Sequence, residues 1–354
     1  MRTLSKAVRL KRKWMMNIFK FGILGCGLIS QIHAEAIKEI DGAVVYGAFD
    51  SNENAKKDFC EKHSIKAFES AEELILCKDI DAVCICLPSG LHYSYTLKCI
   101  AYKKHVVIEK PMALTSAQAQ DIVHTAEKQG VYVSVISQLR YSNAVREVKR
   151  IIDSGKLGTI TLGNAIMKYW RDEEYYKASK WHGTWKMDGG GALMNQGIHG
   201  VDLLQYLLGG VVSVCAHAKT LVHDIETEDT LTAILEYENG AIGTIQATTS
   251  VYPGYSRRIE IHGSKGSMVL CEDKIEISDV EGEEHICCKE NSVYSAASRP
   301  DGINCVLHAK QFSDFIESVS NGKKPFIDAV EGKKSVDIIC AIYKSAKTGE
   351  KVYL

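Results

Sequence analysis

The first third of the chain alternates short apolar runs with helical patterns, and this rhythm restricts the fold more than any other feature of the sequence. Ile18 to Leu24 is an apolar run ending in glycines, followed by a helical pattern from Ser30 to Ile40. Ala43 to Phe49 reads as a strand and Asn54 to Lys62 as a helix. Ala82 to Leu87 is a strand closed by Pro88, Tyr93 to Lys103 a helix, and Val106 to Ile108 a strand closed by Pro111. Ser116 to Gln129 is helical and Val131 to Ile136 is a further strand. Strands joined through helices run parallel, because a parallel neighbour needs a crossover and a helix supplies it. The expectation is a doubly wound parallel sheet of the Rossmann type over residues 17–138.

Beyond Arg140 the rhythm changes. After a helix from Asn143 to Asp153, period-two runs are separated by glycine-rich turns: Thr161 to Lys168, Val211 to Lys219, Thr230 to Tyr237, Ala241 to Ser250, Arg257 to Ile261, Ser267 to Leu270 and Lys274 to Ile277. One helix, Gly191 to Leu208, interrupts them, and helices Val306 to Ser320 and Val330 to Lys347 end the chain. Strands joined by turns without helices between them pair antiparallel. Residues 139–354 are therefore expected to form an α+β domain with a large, mostly antiparallel open sheet. A length of 354 residues fits two such domains.

Charge narrows the partners. Lys and Arg total 43 against 44 Asp and Glu, which leaves no basic field for nucleic acid or an anionic membrane. Six cations crowd the first fourteen residues, and residues 1–16 read as a flexible basic extension. No apolar stretch is long enough for a membrane span, so the expected location is the cytoplasm. Twelve cysteines show no C-x-x-C pair and no zinc-like spacing, and Cys84 and Cys86 alternate within an apolar run. This reads as a reducing compartment, with no metal expected.

The strongest local signal is Gly25-Cys26-Gly27-Leu28-Ile29-Ser30, which leaves a strand and opens a helix as a dinucleotide-binding turn does. Gly25 permits the tight turn and Gly27 a close approach to a pyrophosphate, and the helix start offers free N–H groups near Leu28 and Ile29. The second strand ends at Asp50, whose carboxylate suits adenosine ribose hydroxyls and repels a 2′-phosphate. Ser51, Asn52 and Glu53 follow without an arginine, which favours NAD over NADP. Leu87, Pro88 and His92, Glu109 and Lys110, and Gln138 follow the later strands, where ligands of open α/β sheets bind, and complete the expected cofactor set.

These motifs, with Pro88-Ser89-Gly90-Leu91-His92, Glu109-Lys110-Pro111 and the run from Gly189 to Asp202, resemble the glucose-fructose oxidoreductase, inositol dehydrogenase and MocA family. The resemblance implies hydride transfer between a sugar or polyol carbon and a nicotinamide, in a homodimer or homotetramer. It implies that Lys110 and His199 meet the reacting hydroxyl. The family often has aspartate four residues before that histidine, and this chain has Asn195, kept here as an orienting candidate. The chemistry of the residues agrees: hydride leaves a carbinol carbon only as its hydroxyl proton is removed, so a base and a cation are needed. Asn195 and His199, four apart, are expected on one helix face, with Asp202 as a possible orienter of the imidazole.

Sugar contacts are expected from Arg140, Tyr169, Arg171, Trp181 and Trp185, together with Asn195 and His199, because aromatic faces beside donors suit a carbohydrate. Arg257, Arg258 and His308 are weaker candidates. The leading functional reading is an NAD-dependent oxidoreductase acting on a ring carbon of a hexopyranoside or nucleotide sugar, at carbon three. The alternatives are an inositol dehydrogenase, a glycosidase that uses a transient 3-keto step on retained NAD, and an NAD-sensing regulator without catalysis.

Overall fold

The computed structural model describes residues 18–179, 181–282 and 304–354; the basic extension expected over residues 1–16 lies outside them. The first sheet comprises β1 (Phe19–Leu24), β2 (Ala43–Phe49), β3 (Lys66–Ala67), β4 (Ala82–Ile85), β5 (His105–Ile108) and β6 (Val133–Val135). All pairs are parallel, in the order β3-β2-β1-β4-β5-β6. Strand order reverses between β1 and β4, which opens a crevice at the carboxyl ends of the strands. Helices Leu28–Lys38, Ser89–Ala101 and Ser116–Gln129 form crossovers. Separate apolar clusters fill the two faces, which explains why β4 is apolar at every position.

The second sheet comprises β7 (Ile160–Lys168), β8 (Val211–Lys219), β9 (Thr230–Tyr237), β10 (Ile242–Thr248), β11 (Arg258–Gly263), β12 (Gly266–Cys271), β13 (Lys274–Val280) and β14 (Val352–Tyr353). Its order is β13-β12-β11-β7-β10-β9-β8-β14, antiparallel except for β7 beside β10. Burial alternates along β9, so one face packs on the core and the other is open. Helices Ile198–Leu208 and Ala329–Thr348 contribute to the covered core.

Three features depart from the sequence expectation. Helix Val306–Ser320 follows the second sheet in the chain yet packs on the first: Phe312 and Phe315 meet Phe21, and Phe312 meets His33. Helix Ala329–Thr348 spans both cores, with Val336 in one and Ile339 and Ile342 in the other. The helix expected from Gly191 begins instead as a π-turn over Ala192–Gly197 and becomes α-helical at Ile198. Asn195 therefore lies in a wider turn than His199.

That π-turn has an identifiable cause. The Glu228 carboxylate accepts from the N–H groups of Gly191 (3.0 Å) and Leu193 (2.8 Å), and the Glu228 carbonyl accepts from Ala192 (2.9 Å). Tyr343 donates to Glu228 at 2.9 Å and accepts from the Met194 N–H at 3.2 Å. A Cβ at position 191 would run into the Glu228 carbonyl, which explains the glycine there.

Candidate active site

The glycine turn is built as the sequence suggests. Gly25 has φ +94°, and a Cβ there would sit 2.5 Å from the Cys86 carbonyl oxygen, so both conformation and space demand glycine. A Cβ on Gly27 would meet nothing within 4 Å. Gly27 caps helix Leu28–Lys38 without a side-chain hydrogen bond, and Leu28 beside it is 56% exposed. The first N–H groups of this helix are thus available to an anion. Asp50 accepts from the Cys26 N–H at 2.7 Å and from the Asn52 N–H at 2.8 Å, one bond on each oxygen. It braces the turn from the end of β2 and retains lone pairs for ribose hydroxyls. These features fit a dinucleotide.

At the other side of the crevice, Gln138 is 3% exposed and its Oε1 has no hydrogen-bond partner among the described residues. A buried orphan acceptor beyond β6 is what a cofactor amide or hydroxyl would satisfy. Leu87 and Pro88 lie half-buried at the end of β4, with Pro88 at the start of the next helix. His92 is corrected: its ring does not reach toward a ligand. Nδ1 lies 2.7 Å from the Pro111 carbonyl and Nε2 2.7 Å from the Leu87 carbonyl, so the imidazole sits between the segments that follow β4 and β5 and, when neutral, donates to one of these carbonyls. Ile29 is half-buried in the core beneath the turn.

Glu109 also has a task inside the protein. Its carboxylate lies 2.8 Å from His33 Nε2 and accepts the Lys110 N–H at 3.2 Å. Burial would raise its pKa, but the His33 bond and charge, together with the His308 and Lys110 charges, outweigh burial and hold it well below the usual carboxylate range. His308 joins these two, all three buried with donor atoms within 4.8 Å of one another, an assembly the cysteine and histidine spacing did not reveal. With ordinary metal bonds near 2.0–2.1 Å, two donors 2.8 Å apart would subtend roughly a right angle, far from zinc's tetrahedron. The geometry is that of a hydrogen-bonded pair with a third imidazole packed beside it, its ring centre 5.8 Å from that of His33.

Lys110 precedes a cis Lys110–Pro111 bond, and its Nζ donates to the Asn195 carbonyl at 2.9 Å. Lys110 and His199 line one small cavity with Met112, Ser137 and Ile198. The fold thus brings an ammonium from β5 and an imidazole from helix Ile198–Leu208 to one place. Burial lowers the Lys110 pKa, opposed by Glu109 and Asp188. Burial, then the Lys110 and Arg257 charges, lower His199 well below its ordinary value. His199 has no hydrogen-bond partner among the described residues, so Asp202 does not orient it.

Asp202 is instead bound to Arg140, and both expectations are corrected. The Arg140 guanidinium is fully buried and donates to Asp202 at 2.9 and 2.7 Å and to Glu331 at 2.7 Å. It serves the joint between the sheets, with no donor facing a sugar. Tyr169 is likewise corrected, because its ring lies within the core of the second sheet.

The remaining aromatic candidates surround a polar chain. Arg171 donates to Gln196 at 2.9 Å, Gln196 donates to the Tyr175 hydroxyl at 2.8 Å, and the Tyr175 ring stacks on His182 at 4.4 Å. Trp181 packs against His182, while Trp185 is 48% exposed with its edge toward Tyr343. Arg257 is buried in a pair with Glu272. Asp188, Tyr175 and Gln196 were absent from the sequence expectation. Asp188 had one available signal: a carboxylate placed directly before three glycines.

Comparison with known proteins places this geometry. The model described as "Oxidoreductase family, NAD-binding Rossmann fold" matches residues 19–137, and "GFO/IDH/MocA C-terminal domain" matches residues 145–269. The WlbA dehydrogenase from Bordetella pertussis, solved with NADH and UDP-GlcNAcA, is 31% identical, with a TM-score of 0.85, covering 95% of this chain and 98% of that one. The myo-inositol 2-dehydrogenase of Thermotoga maritima is 26% identical across 95% of this chain and 98% of its own length. The D-glucoside 3-dehydrogenase of Escherichia coli is 24% identical across 95% and 97%. The fold and its relatives define a nicotinamide-dependent oxidoreductase acting on CH–OH groups of sugars or polyols. The chain belongs to the GFO/IDH/MocA family.

Proposed function

We propose that this enzyme oxidises a ring hydroxyl of a nucleotide-linked hexose, at carbon three, with NAD as the preferred acceptor and a small-molecule sugar as its partner. The observation that carries the reading is the meeting of Lys110 and His199 at the carboxyl ends of the parallel strands. The substrate class is supported by the relative solved with UDP-GlcNAcA, and the position by the name of the D-glucoside 3-dehydrogenase. The inositol reading retains support from the Thermotoga maritima relative and belongs in the same substrate panel.

In this mechanism His199 takes the hydroxyl proton on its imidazole while Lys110 steadies the oxygen as negative charge develops there. The Asn195 amide and the Arg171–Gln196–Tyr175 chain orient neighbouring hydroxyls. Gly25, Gly27, Leu28, Ile29, Asp50, Leu87, Pro88, Glu109, Lys110 and Gln138 form the cofactor's surroundings, with Trp181 and Trp185 toward the sugar. The nicotinamide, when bound, supplies the hydride acceptor. Incubation with NAD and a panel of UDP-sugars, glycosides, hexoses and inositols tests the proposal. Reduced nicotinamide should accumulate with a UDP-sugar, and a rate confined to inositols would overturn the substrate class.

Two further outcomes are expected. Because the His199 pKa is depressed, the base stays neutral into mildly acidic solution, and the part of the acid limb of kcat/KM that reports loss of this base should lie below pH 6.5. The Lys110 pKa is also lowered, so an alkaline limb should appear below pH 10.5. A full pH–rate profile checks both limbs. Asp50→Ala should weaken NAD by about tenfold and narrow the preference against NADP, given the carboxylate's usual role at this position. Titration with both cofactors measures it, and an unchanged preference would remove Asp50 from the assignment.

A further inference from the structure

Asp188 is a buried carboxylate, 2% exposed, with no direct ion pair among the described residues. Its Oδ1 accepts from Asn195 Nδ2 at 2.7 Å and its Oδ2 from the Gly183 N–H at 2.9 Å. The segment carrying it is fastened at both ends. The Asp188 N–H donates to Thr184 O at 3.0 Å, and the neighbouring Met187 carbonyl accepts from the Gly90 N–H at 2.7 Å. Gly90 belongs to the helix that follows β4, so this segment of the second half is seated on the nucleotide-binding half.

The consequence for Asn195 follows from the two-ended chemistry of an amide. With its NH₂ turned to Asp188, the carbonyl end is left to accept, and it receives only a long contact from Gln196 Nε2 at 3.4 Å. The backbone carbonyl of the same Asn195 accepts the Lys110 ammonium. The charges that act on Lys110 are the carboxylates Glu109 and Asp188 and the Arg171 guanidinium, while His92, His182 and His199 feel the Lys110 charge in turn. Glu109 is committed to His33. Asp188 is the second carboxylate, after Glu109, whose charge opposes burial at the Lys110 ammonium.

We propose that Asp188 is a positioning residue for hydride transfer: through Asn195, whose amide it holds and whose backbone carbonyl holds the Lys110 ammonium, it fixes which end of that amide meets a substrate hydroxyl and the setting in which Lys110 works. Its consequence for turnover rests on the dehydrogenase reading above; its effect on Lys110 does not need a substrate. Burial pushes the Asp188 carboxyl up to about 7, opposed by the Gly183 bond, Lys110 and the Asn195 bond, with Glu228 adding to the rise. Asp188 is therefore mostly ionised at about pH 8, where turnover is best compared.

The test is competitive acetylation of the folded protein by trace acetic anhydride across pH, with the extent at residue 110 read by mass spectrometry. Asp188→Asn keeps the side chain's shape and removes the charge, so the Lys110 midpoint should fall by about one pH unit. The exchange Asp188→Asn with Asn195→Asp returns a carboxylate to the pair and should recover most of that shift. With an active sugar, Asp188→Asn should lower kcat ~10-fold while KM for NAD changes little, because positioning and not cofactor binding is lost. An unmoved Lys110 midpoint, or an unmoved kcat against an active wild type, overturns the role of Asp188. A wild type that oxidises no sugar or polyol removes the dehydrogenase reading, and the labelling result then decides Asp188 by itself.

Discussion

Replacing Lys110 or His199 by alanine should lower turnover by ~10²-fold or more while folding and NAD affinity persist, because a positioned general base contributes on that scale. The residues work on one oxygen atom, so the double variant should lose much less than the product of the single losses. Lys110→Ala also releases the Asn195 carbonyl, which disturbs the neighbouring amide. His199→Ala is therefore the cleaner of the two, since that ring makes no hydrogen bond among the described residues. Steady-state kinetics beside calorimetric NAD titration separates chemistry from binding. Rates like the wild type in both variants would remove the proposed site.

Arg140→Ala should destabilise the protein by about 3–5 kcal/mol, the usual result of stripping one partner from a buried ion pair. The Arg140 guanidinium joins the end of β6 to Asp202 on helix Ile198–Leu208 and Glu331 on the last helix, with no exposed surface of its own. Its loss leaves Asp202, itself buried, with an uncompensated charge. Arg140→Lys should recover only part of the loss, because an ammonium does not reproduce the planar two-point contact with Asp202. Burial would raise the Glu331 pKa, but Arg140 and Lys334 outweigh it and hold it down. This contribution is therefore present above the usual glutamate range and is lost as pH falls through the lowered value. Chemical denaturation of the variants at neutral and acidic pH measures both effects, and a loss under 1 kcal/mol in Arg140→Ala would refute the account.

What could be read from the chain beforehand was whatever depends on neighbours in sequence. Ala43–Phe49, Ser116–Gln129, Asn143–Asp153, Val211–Lys219 and Thr230–Tyr237 were legible to the residue because pattern and turn residues agree there. The glycine turn was legible because its conformation follows from two glycines and a helix start. Arg140 was misjudged because its partners lie 62 and 191 residues away, and an arginine near a strand end looks the same whether buried or facing a ligand. The π-turn depends on Glu228 and Tyr343, 35 and 149 residues from the N–H groups they meet. His92 and Tyr169 were misplaced for the same reason: side-chain direction is a tertiary fact. Asp188 was missed because its meaning depends on Asn195, which the chain brings beside it only through the loop held at Gly90.

The last fifty residues also bear on how such an enzyme is re-engineered. Phe312 and Phe315 serve the nucleotide-binding sheet, Val336 sits beside that sheet, and Ile339 and Ile342 serve the other. A chimera cut at residue 139, with everything after it taken from a relative, would import foreign packing into the half meant to be preserved. Exchange of substrate preference is better attempted by transplanting residues 143–282 alone, so that the native tail continues to lock both halves as a strap does a hinged case.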